Sequence, residues 1–355
     1  MTRPARALID ADAARWNLDL VRRATPGRRI LAIVKADGYG HGVARMARAL
    51  TAADAFGVAS VEEAIRIRAA DVRQPIVLLD GPFEAAEIPE IVAHGLETVV
   101  HNDEQIAMLA AVPEPIPAWI KIDTGMHRLG FAPHELGRVF EALARPDRVI
   151  RYMTHFASAH IPGDPSIERQ LAAFRVAMEG RRGEICVANS SAILNRPDAH
   201  GDWVRPGIML YGVSPFADSS GADLGLKPVL TCTSALIAVK RVAAGGGVGY
   251  GQAFRCPGDM PIGVVAFGYG DGYPRHAGTG TPVLVNGVRT QVLGHASMDM
   301  LTVDLRPVPE ARVGDPVTLW GPALPVEDVA RSAGTIPYEL LCRMRMRAQF
   351  VETQG

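Results

Sequence analysis

The sequence predicts an α/β protein in which a closed (β/α)8 barrel of the TIM type, residues 1–220, precedes a mainly β domain, residues 221–355. Three observations support this prediction. Short apolar runs alternate with amphipathic helical patterns through residues 1–212. A segment rich in turn formers follows at 213–221. Beyond it, β-rich runs separated by Gly and Pro replace the long helical patterns.

The first domain contains eight candidate strands. They lie at 30–36, 55–61, 75–80, 97–100, 118–123, 149–155, 184–188 and 203–211. Helical patterns typical of crossover connections lie between them, at 62–70, 85–94, 103–110, 133–144 and 166–179. Eight such units in about 200 residues fit a closed barrel. An open doubly wound sheet is the alternative.

Polar side chains of interest follow the carboxyl ends of these predicted strands. They are Lys35, Lys121, Asp123, Arg128, His155, Asn189, Ser190 and Arg205. Barrel enzymes carry their chemistry on that face, so this distribution favours the barrel and predicts an active site there.

The second domain is predicted from shorter patterns. Its β-rich runs lie at 229–242, 263–267, 282–285, 296–304 and 317–319. A helical pattern returns only at 326–344.

Composition excludes several classes of protein. The 37 basic and 38 acidic residues give a net charge of -1, so no electrostatic argument favours a nucleic acid or a membrane as partner. The four cysteines are scattered without a C-x-x-C pair, which is typical of a reducing compartment and predicts no metal site. The N-terminus has no apolar segment of the secretory type, and we expect a cytoplasmic protein.

Lys35 ends an apolar strand pattern and precedes a turn with glycine at 38, 40 and 42. At the mouth of a buried strand a lysine is partly desolvated, which lowers its pKa and favours a nucleophilic neutral amine. Glycine lets the backbone turn tightly and approach a ligand. A lone strand-end lysine is more often a residue that only extends its charge to solvent.

The surrounding string, VKADGYGHG, resembles the pyridoxal-phosphate attachment motif of the alanine racemases. Further matches follow in the family's order: IKIDTGMHRLGF, THFASA, ANSSA, RPGIMLYG, VGYG, GYGDGYPR, SMDM and TIPYELLC. The resemblance covers nearly the whole chain. It implies an isomerase that interconverts L-alanine and D-alanine by a two-base mechanism on a pyridoxal-phosphate aldimine, supplying D-alanine for peptidoglycan synthesis.

The resemblance also implies the two bases. Lys35 would bind the cofactor as a Schiff base and act on one face of the α-carbon, and Tyr250 would act on the other. A tyrosine pKa near ~10 requires neighbouring positive charge for this role. In the family this tyrosine comes from the partner subunit, which implies a head-to-tail homodimer with shared active sites. By itself Tyr250 would be interpreted as a half-buried strand residue.

Cofactor contacts are implied residue by residue. Arg205 resembles the arginine at the pyridine nitrogen, which it would keep unprotonated, and His155 would hold Arg205 by a hydrogen bond. The phosphate would be bound by Tyr39, Ser190 and Tyr338 and by the backbone N–H groups of Gly207 and Ile208. Asn189 before Ser190 fits a helix N-cap.

Substrate contacts follow from the same resemblance. Arg128 would reach the cofactor's phenolic oxygen and the substrate carboxylate, and Met298 would donate a backbone N–H to that carboxylate. Tyr269 would narrow the entrance from the second subunit. Lys121 matches a lysine that is carbamylated in many members. Gly249 and His295 depart from the common pattern, in which a serine and an arginine or asparagine are frequent.

Three alternatives remain at this point. A racemase of broader specificity differs from an alanine enzyme by only one or two side-chain atoms of pocket size. A related decarboxylase would place an acidic residue at the pyridine nitrogen, which Arg205 opposes. Related cofactor-carrier proteins are single domains, which Tyr250 and the chain from residue 222 onward oppose.

Overall fold

The computed structural model describes residues 3–344 and 347–353, and the chain divides into two compact units. The barrel unit comprises Asn17–Leu210 and Pro215–Asp218. The β unit comprises the segment up to Trp16, Tyr211–Ser214 and the chain from Ser219 onward. Within the described ranges, no helix combines the length and apolar character that crossing a bilayer requires.

The barrel is closed by eight parallel strands that pair in sequence order. After the N-terminal strand β1 (Arg6–Asp10), they are β2 (Arg29–Ile33), β3 (Ala55–Val58), β4 (Ile76–Leu78), β5 (Glu97–Val100), β6 (Ala118–Lys121), β7 (Ile150–Met153), β8 (Ile185–Asn189) and β9 (Trp203–Arg205). Pairing of Arg29 with Trp203 and of Ile30 with Val204 closes the circle. The predicted barrel is confirmed, and the open sheet is excluded.

Helices lie between the barrel strands. Ala11–Ala24 precedes the first of these strands, and the short segment Lys35–Tyr39 is helical only in part. The other helices up to residue 210 are Val43–Ala49, Val61–Arg68, Ile88–Ala93, Asp103–Ala110, Leu136–Leu143, Ser166–Met178 and Ser190–Asn195. Local capping explains several starts: the Asn102 side chain accepts a 2.8 Å hydrogen bond from the Gln105 N–H. Six of the eight predicted strands extend past the observed carboxyl ends, namely those predicted to end at 36, 61, 80, 123, 155 and 211. The first ends at Ile33, before a turn, and the last ends at Arg205, before a 3-10 turn at Ile208–Tyr211.

Besides β1, the β unit contains the strands β10 (Leu230–Val242), β11 (Gly247–Val248), β12 (Phe254–Arg255), β13 (Met260–Val265), β14 (Pro282–Val285), β15 (Val288–Gln291), β16 (Leu301–Asp304), β17 (Pro316–Trp320) and β18 (Gln349–Thr353). Its main sheet is mixed and has the strand order β15-β14-β17-β10-β1-β18. β13 also pairs with β10, and β16 pairs with β13. The region predicted to be helical, 326–344, contains two helices, Val326–Ser332 and Pro337–Cys342.

β1 departs from the predicted domain division. β1 falls within the first predicted domain, 1–220. In the structure, however, β1 belongs to the β unit, where it pairs antiparallel with β10 and parallel with β18. Its partners are far along the chain, so no local pattern reveals them. The predicted limits 1–220 and 221–355 make each domain one continuous segment. The compact units are discontinuous, because the β unit takes chain segments from before and after Asn17–Leu210. The limits themselves remain a prediction.

A cluster of aromatic and charged side chains fills the amino-terminal end of the barrel. The Arg151 guanidinium lies 5.0 Å from the ring centroid of Trp119 and 5.6 Å from that of Trp203. It also pairs with Glu97 at 2.9 Å and with Glu184 at 2.7 Å. The two carboxylates accept hydrogen bonds from the two indole N–H groups. We assign this cluster to the stability of the barrel, because barrel enzymes carry out their chemistry at the opposite end.

We expect Arg151→Ala to lower the free energy of unfolding by about 2–4 kcal/mol, because it removes the ion pair of the mostly buried Glu97, one of the two ion pairs of Glu184, and the contacts with both indole rings. Arg138 is a matched control, because it also bridges two carboxylates, Asp103 and Glu135, but its side chain is 52% exposed. Arg138→Ala should cost at most about 1 kcal/mol. Urea unfolding followed by circular dichroism measures both. Equal losses would contradict the role given to Arg151.

Candidate active site

Lys35 stands at the start of a strained turn. It is half-buried and follows β2 by two residues. The four residues after it, 36–39, have φ values of 54°, 54°, 63° and 50°, a left-handed turn that costs roughly 1–2 kcal/mol for each non-glycine residue. Neighbouring groups hold it: the Asp37 N–H donates to Glu63 at 2.8 Å, and Asp37 accepts from the Val43 N–H at 3.0 Å. Strain of this kind is typical of functional sites.

Arg205 is fixed at the end of β9 by backbone carbonyls. Its side chain is buried and donates to the carbonyl oxygens of Cys186 at 2.6 Å, Thr154 at 2.5 Å and Val187 at 3.2 Å. One guanidinium nitrogen lies 3.4 Å from Nδ1 of His155. Burial and the adjacent positive charge of Arg205 hold the pKa of His155 well below its ordinary value. A neutral His155 is able to accept from Arg205, as the sequence analysis expects.

Lys121 belongs to the same group of basic side chains. It ends β6 and is only 9% exposed. Burial, reinforced by the charges of Arg205, Arg128 and Lys35 and opposed by Asp80, lowers the pKa of Lys121 from 10.5 to about 8. These interactions show that the structure brings together the predicted residues Lys35, Lys121, Arg128 and Arg205.

Arg128 lies on a loop that Asp123 organises. The Asp123 carboxylate accepts backbone N–H bonds from Gly125 at 3.0 Å, Met126 at 3.1 Å and His127 at 3.0 Å. Although burial opposes the shift, these bonds lower the pKa of Asp123. The residue that sequence analysis placed only at a strand end therefore shapes the loop that carries Arg128.

The predicted phosphate ligands of the barrel unit also converge. The Gly207 N–H donates to Oγ of Ser190 at 2.8 Å. A Cβ at position 207 would lie 2.6 Å from Oη of Tyr39, so only glycine permits this approach. Ile208 follows in the buried 3-10 turn. Asn189 is the expected N-cap, because its side chain accepts from the Ala192 N–H at 3.1 Å. Hydroxyl and backbone N–H donors around a glycine fit a phosphate group.

Four predicted residues lie in the β unit. Tyr250 is 75% exposed and Met298 is 54% exposed. Met298 precedes β16, whose predicted run at 296–304 begins only at Leu301 in the structure. Tyr269 contacts the Met298 loop, since its N–H donates to the Ser297 carbonyl at 3.0 Å. Tyr338 lies on the helix Pro337–Cys342, and burial raises its pKa to about 12.

Two family models match the chain. The family model "Alanine racemase, N-terminal domain" matches residues 9–215, and "Alanine racemase, C-terminal domain" matches residues 229–352. The chain belongs to the alanine racemase family. An alanine racemase of Nitrosospira multiformis is 50% identical over 356 residues, which cover 99% of this chain and 100% of the relative.

Solved structures of alanine racemases show the same architecture. The biosynthetic enzyme of Pseudomonas aeruginosa is 44% identical with a TM-score of 0.97, covering 99% of this chain and 100% of its own. The Bartonella henselae enzyme, solved with covalently bound pyridoxal phosphate, is 30% identical with a TM-score of 0.89, covering 99% of each chain. The protein is thus an isomerase with alanine racemase activity. The second family model also opposes the single-domain carrier alternative.

Gln170, which the sequence analysis did not identify, lies on the helix Ser166–Met178 and binds the backbone of the racemase site. Gln170 is buried; it donates to the His155 carbonyl at 3.0 Å and to Thr124 at 3.3 Å, and it accepts from the Ala157 N–H at 3.0 Å. Thr124 in turn contacts Thr154, whose carbonyl binds Arg205. A signal existed: Gln170 occupies the buried stripe of the helix Ser166–Met178, where an apolar residue is expected.

The lowered pKa of Lys121 predicts a pH-dependent stability of the unmodified protein. Between the folded-state value of about 8 and the ordinary value of 10.5, the unfolded chain binds more protons at this lysine. The free energy of unfolding should therefore rise across that interval, by on the order of 3 kcal/mol. Urea unfolding in bicarbonate-free buffer measures it.

Two variants isolate this effect from other titrating groups. Lys121→Met should remove the rise and be more stable than the wild type below pH 8. Lys240→Met, at an exposed lysine of the β unit, should retain the rise. The same pH dependence in all three proteins would contradict the assignment to Lys121.

Proposed function

We propose that this chain interconverts L-alanine and D-alanine with pyridoxal 5'-phosphate, using Lys35 and Tyr250 as bases on opposite faces of the α-carbon. The observation that carries the proposal is the cluster of Lys35, Lys121, Arg128 and Arg205 around a neutral His155 at the carboxyl ends of the barrel strands. When bound, the cofactor supplies an electron sink for the α-carbon. The Bartonella relative, which holds it covalently, supports the same choice here.

The barrel residues fit this cofactor by their chemistry. Lys35 would attach it and move a proton at the α-carbon. Arg205 would contact the ring nitrogen, and its permanent charge would keep that nitrogen unprotonated. Three backbone carbonyls already orient Arg205, so little rearrangement is needed. An acidic residue there would favour decarboxylase chemistry, which makes Arg205 the residue that distinguishes the two reactions.

The remaining contacts divide between the two units. Tyr39, Ser190 and the N–H groups of Gly207 and Ile208 would hold the phosphate from the barrel unit, and Tyr338 would do so from the β unit. Arg128 and the Met298 N–H would bind the substrate carboxylate, and Tyr269 would narrow the entrance. These roles rest on the family resemblance together with the convergence of Ser190, Gly207 and Tyr39.

Exposure of Tyr250 supports a shared active site. A catalytic base in an active site that excludes water must itself be shielded from solvent. In the single chain, however, Tyr250 is 75% exposed. A second copy that covers Tyr250 would complete the site in a head-to-tail homodimer. The structure and the proposed roles are consistent with one barrel unit working with the β unit of its partner.

Lys121 is proposed to be carbamylated. Its lowered pKa raises the fraction of neutral amine, the form that reacts with carbon dioxide. The product would place a negative charge beside Arg128. Native mass spectrometry in bicarbonate buffer tests this, because a carbamate should add the mass of one carbon dioxide to the wild type and not to Lys121→Met. The same mass with and without bicarbonate would argue against carbamylation. We further propose a cytoplasmic enzyme that supplies D-alanine for peptidoglycan.

Borohydride reduction of the reconstituted holoenzyme should fix the cofactor on Lys35. The chain has only three other lysines, Lys121, Lys227 and Lys240, so peptide mass mapping gives an unambiguous assignment. Chiral analysis should show either alanine enantiomer approaching the same near-equal mixture. Lys35→Ala should abolish this, and Tyr250→Phe should slow it at least ~100-fold.

The exposed Lys240→Ala variant is the control for that experiment and should racemise alanine normally. Labelling of another lysine, or racemisation that survives Lys35→Ala, would overturn the assignment. Other amino acids in the same assay rank substrate breadth.

Mixing two inactive variants tests whether active sites are shared. A heterodimer of Lys35→Ala and Tyr250→Phe chains contains one intact site if lysine and tyrosine come from different subunits. After dissociation and random reassociation, the mixture should regain roughly a quarter of wild-type activity. No recovery, with dimers confirmed by ultracentrifugation, would place both bases in one chain.

A further inference from the structure

The first and the last strand of the chain lie side by side in the β unit. β1 and β18 are parallel neighbours, with Arg6 opposite Gln349, and the Gln349 N–H donates to the Ala5 carbonyl at 2.9 Å. Arg3 and Arg347 stand just before these two strands. Parallel pairing therefore brings two arginines that are 344 positions apart in sequence to one place.

Both arginines bind the same pair of loops. We call residues 268–273 the tyrosine loop and residues 296–300 the methionine loop. Arg3 donates to the Asp271 carboxylate at 2.7 Å and to the Asp299 carbonyl at 2.6 Å. Arg347 pairs with the Asp299 carboxylate and lies 3.5 Å from that of Asp271. Each arginine therefore links one loop to the other.

Asp271 is the centre of this arrangement. Its side chain is completely buried, and it also accepts from the Gly268 N–H at 2.9 Å within its own loop. A buried carboxylate is costly unless it is paired, so the two arginines are what permit an aspartate here. Their side chains are only 30% and 39% exposed, which makes these contacts stronger than an ordinary surface ion pair.

The loops also touch through their backbones. The Tyr269 N–H donates to the Ser297 carbonyl at 3.0 Å, and the Gly270 N–H donates to the Met298 carbonyl at 2.9 Å. A Cβ at position 268 would lie 2.3 Å from the Ser297 oxygen, so the approach requires glycine. Displacing either loop therefore displaces the other.

We propose that Arg3 and Arg347 are positioning residues that set the affinity for substrate by holding the tyrosine and methionine loops together. The inference rests on the proposed function, in which the methionine loop binds the substrate carboxylate through the Met298 N–H and Tyr269 narrows the entrance. Neither arginine touches substrate. Each acts through a loop whose backbone N–H must point at a carboxylate, a geometry that small shifts weaken.

The experiment compares holoenzyme variants by steady-state kinetics and by hydrogen exchange. Arg3→Ala and Arg347→Ala should each raise KM for alanine about 10-fold and change kcat less than about 3-fold, because binding geometry is lost while both bases remain. Amide exchange in 268–273 and 296–300 should accelerate, and exchange in the barrel unit should not. Arg347→Lys keeps the positive charge and should raise KM less than Arg347→Ala does.

Arg289→Ala is the matched control. Arg289 forms an exposed ion pair with Asp328 in the same unit and contacts neither loop, so KM and loop exchange should stay at wild-type values. If an alanine variant fails to fold, Asp299→Asn removes the carboxylate charge that Arg347 meets, with little change of shape, and should show the same pattern.

The outcomes separate this inference from the proposed function. Unchanged KM and unchanged loop exchange in folded variants would overturn the positioning role. Faster exchange of the whole β unit, with kcat and KM altered alike, would also overturn it, since it indicates a general structural role. A wild-type holoenzyme that does not racemise alanine would refute the proposed function, while loop exchange in the variants would still decide whether the arginines hold the loops.

Discussion

The gathering of positive charge at one end of the barrel is the constraint on which the rest of the site depends. The charges of Arg205, Arg128 and Lys35 disfavour a charged Lys121, and because Lys121 and Arg205 are buried, less water weakens that repulsion. The protein limits the cost in different ways. Carbonyl oxygens surround Arg205, His155 stays neutral, and Lys121 has a lowered pKa. The remaining positive charge favours anionic groups such as phosphate and carboxylate.

This charge arrangement requires rigid supports, and the barrel supplies them. Arg205 donates to the carbonyls of Cys186 in β8 and of Thr154 just after β7, so two successive strands of the closed sheet hold its side chain in place. Lys35 precedes a left-handed turn that is held by Glu63, a residue of the helix Val61–Arg68 in the next βα unit. Each functional side chain therefore depends on contacts between successive units, and an open sheet would not provide the full circle.

Sequence predicts those features that local patterns determine. Periodicity located all eight barrel strands, and the position of Lys35 and Arg205 at strand ends placed them on one face. The predicted ends of the strands were less accurate. Ala36, for example, continues an apolar run typical of a strand, but it lies in a left-handed turn that is held by Glu63, a residue of the next βα unit. The supporting role of Gln170 was visible only as a polar residue at an apolar position. The pairing of Arg3 with Asp271 spans 268 positions, and no local pattern reports it.

The position of β1 has a consequence for synthesis of the protein. β1 emerges from the ribosome first, but its neighbours are β10, which follows the whole barrel, and β18, which is made last. The barrel unit needs none of the later chain for its ring of strands and is free to close while translation continues. β1 waits unpaired until β10 follows the barrel, and its second neighbour arrives only with β18, so the β unit is the last part of the molecule to acquire its native form.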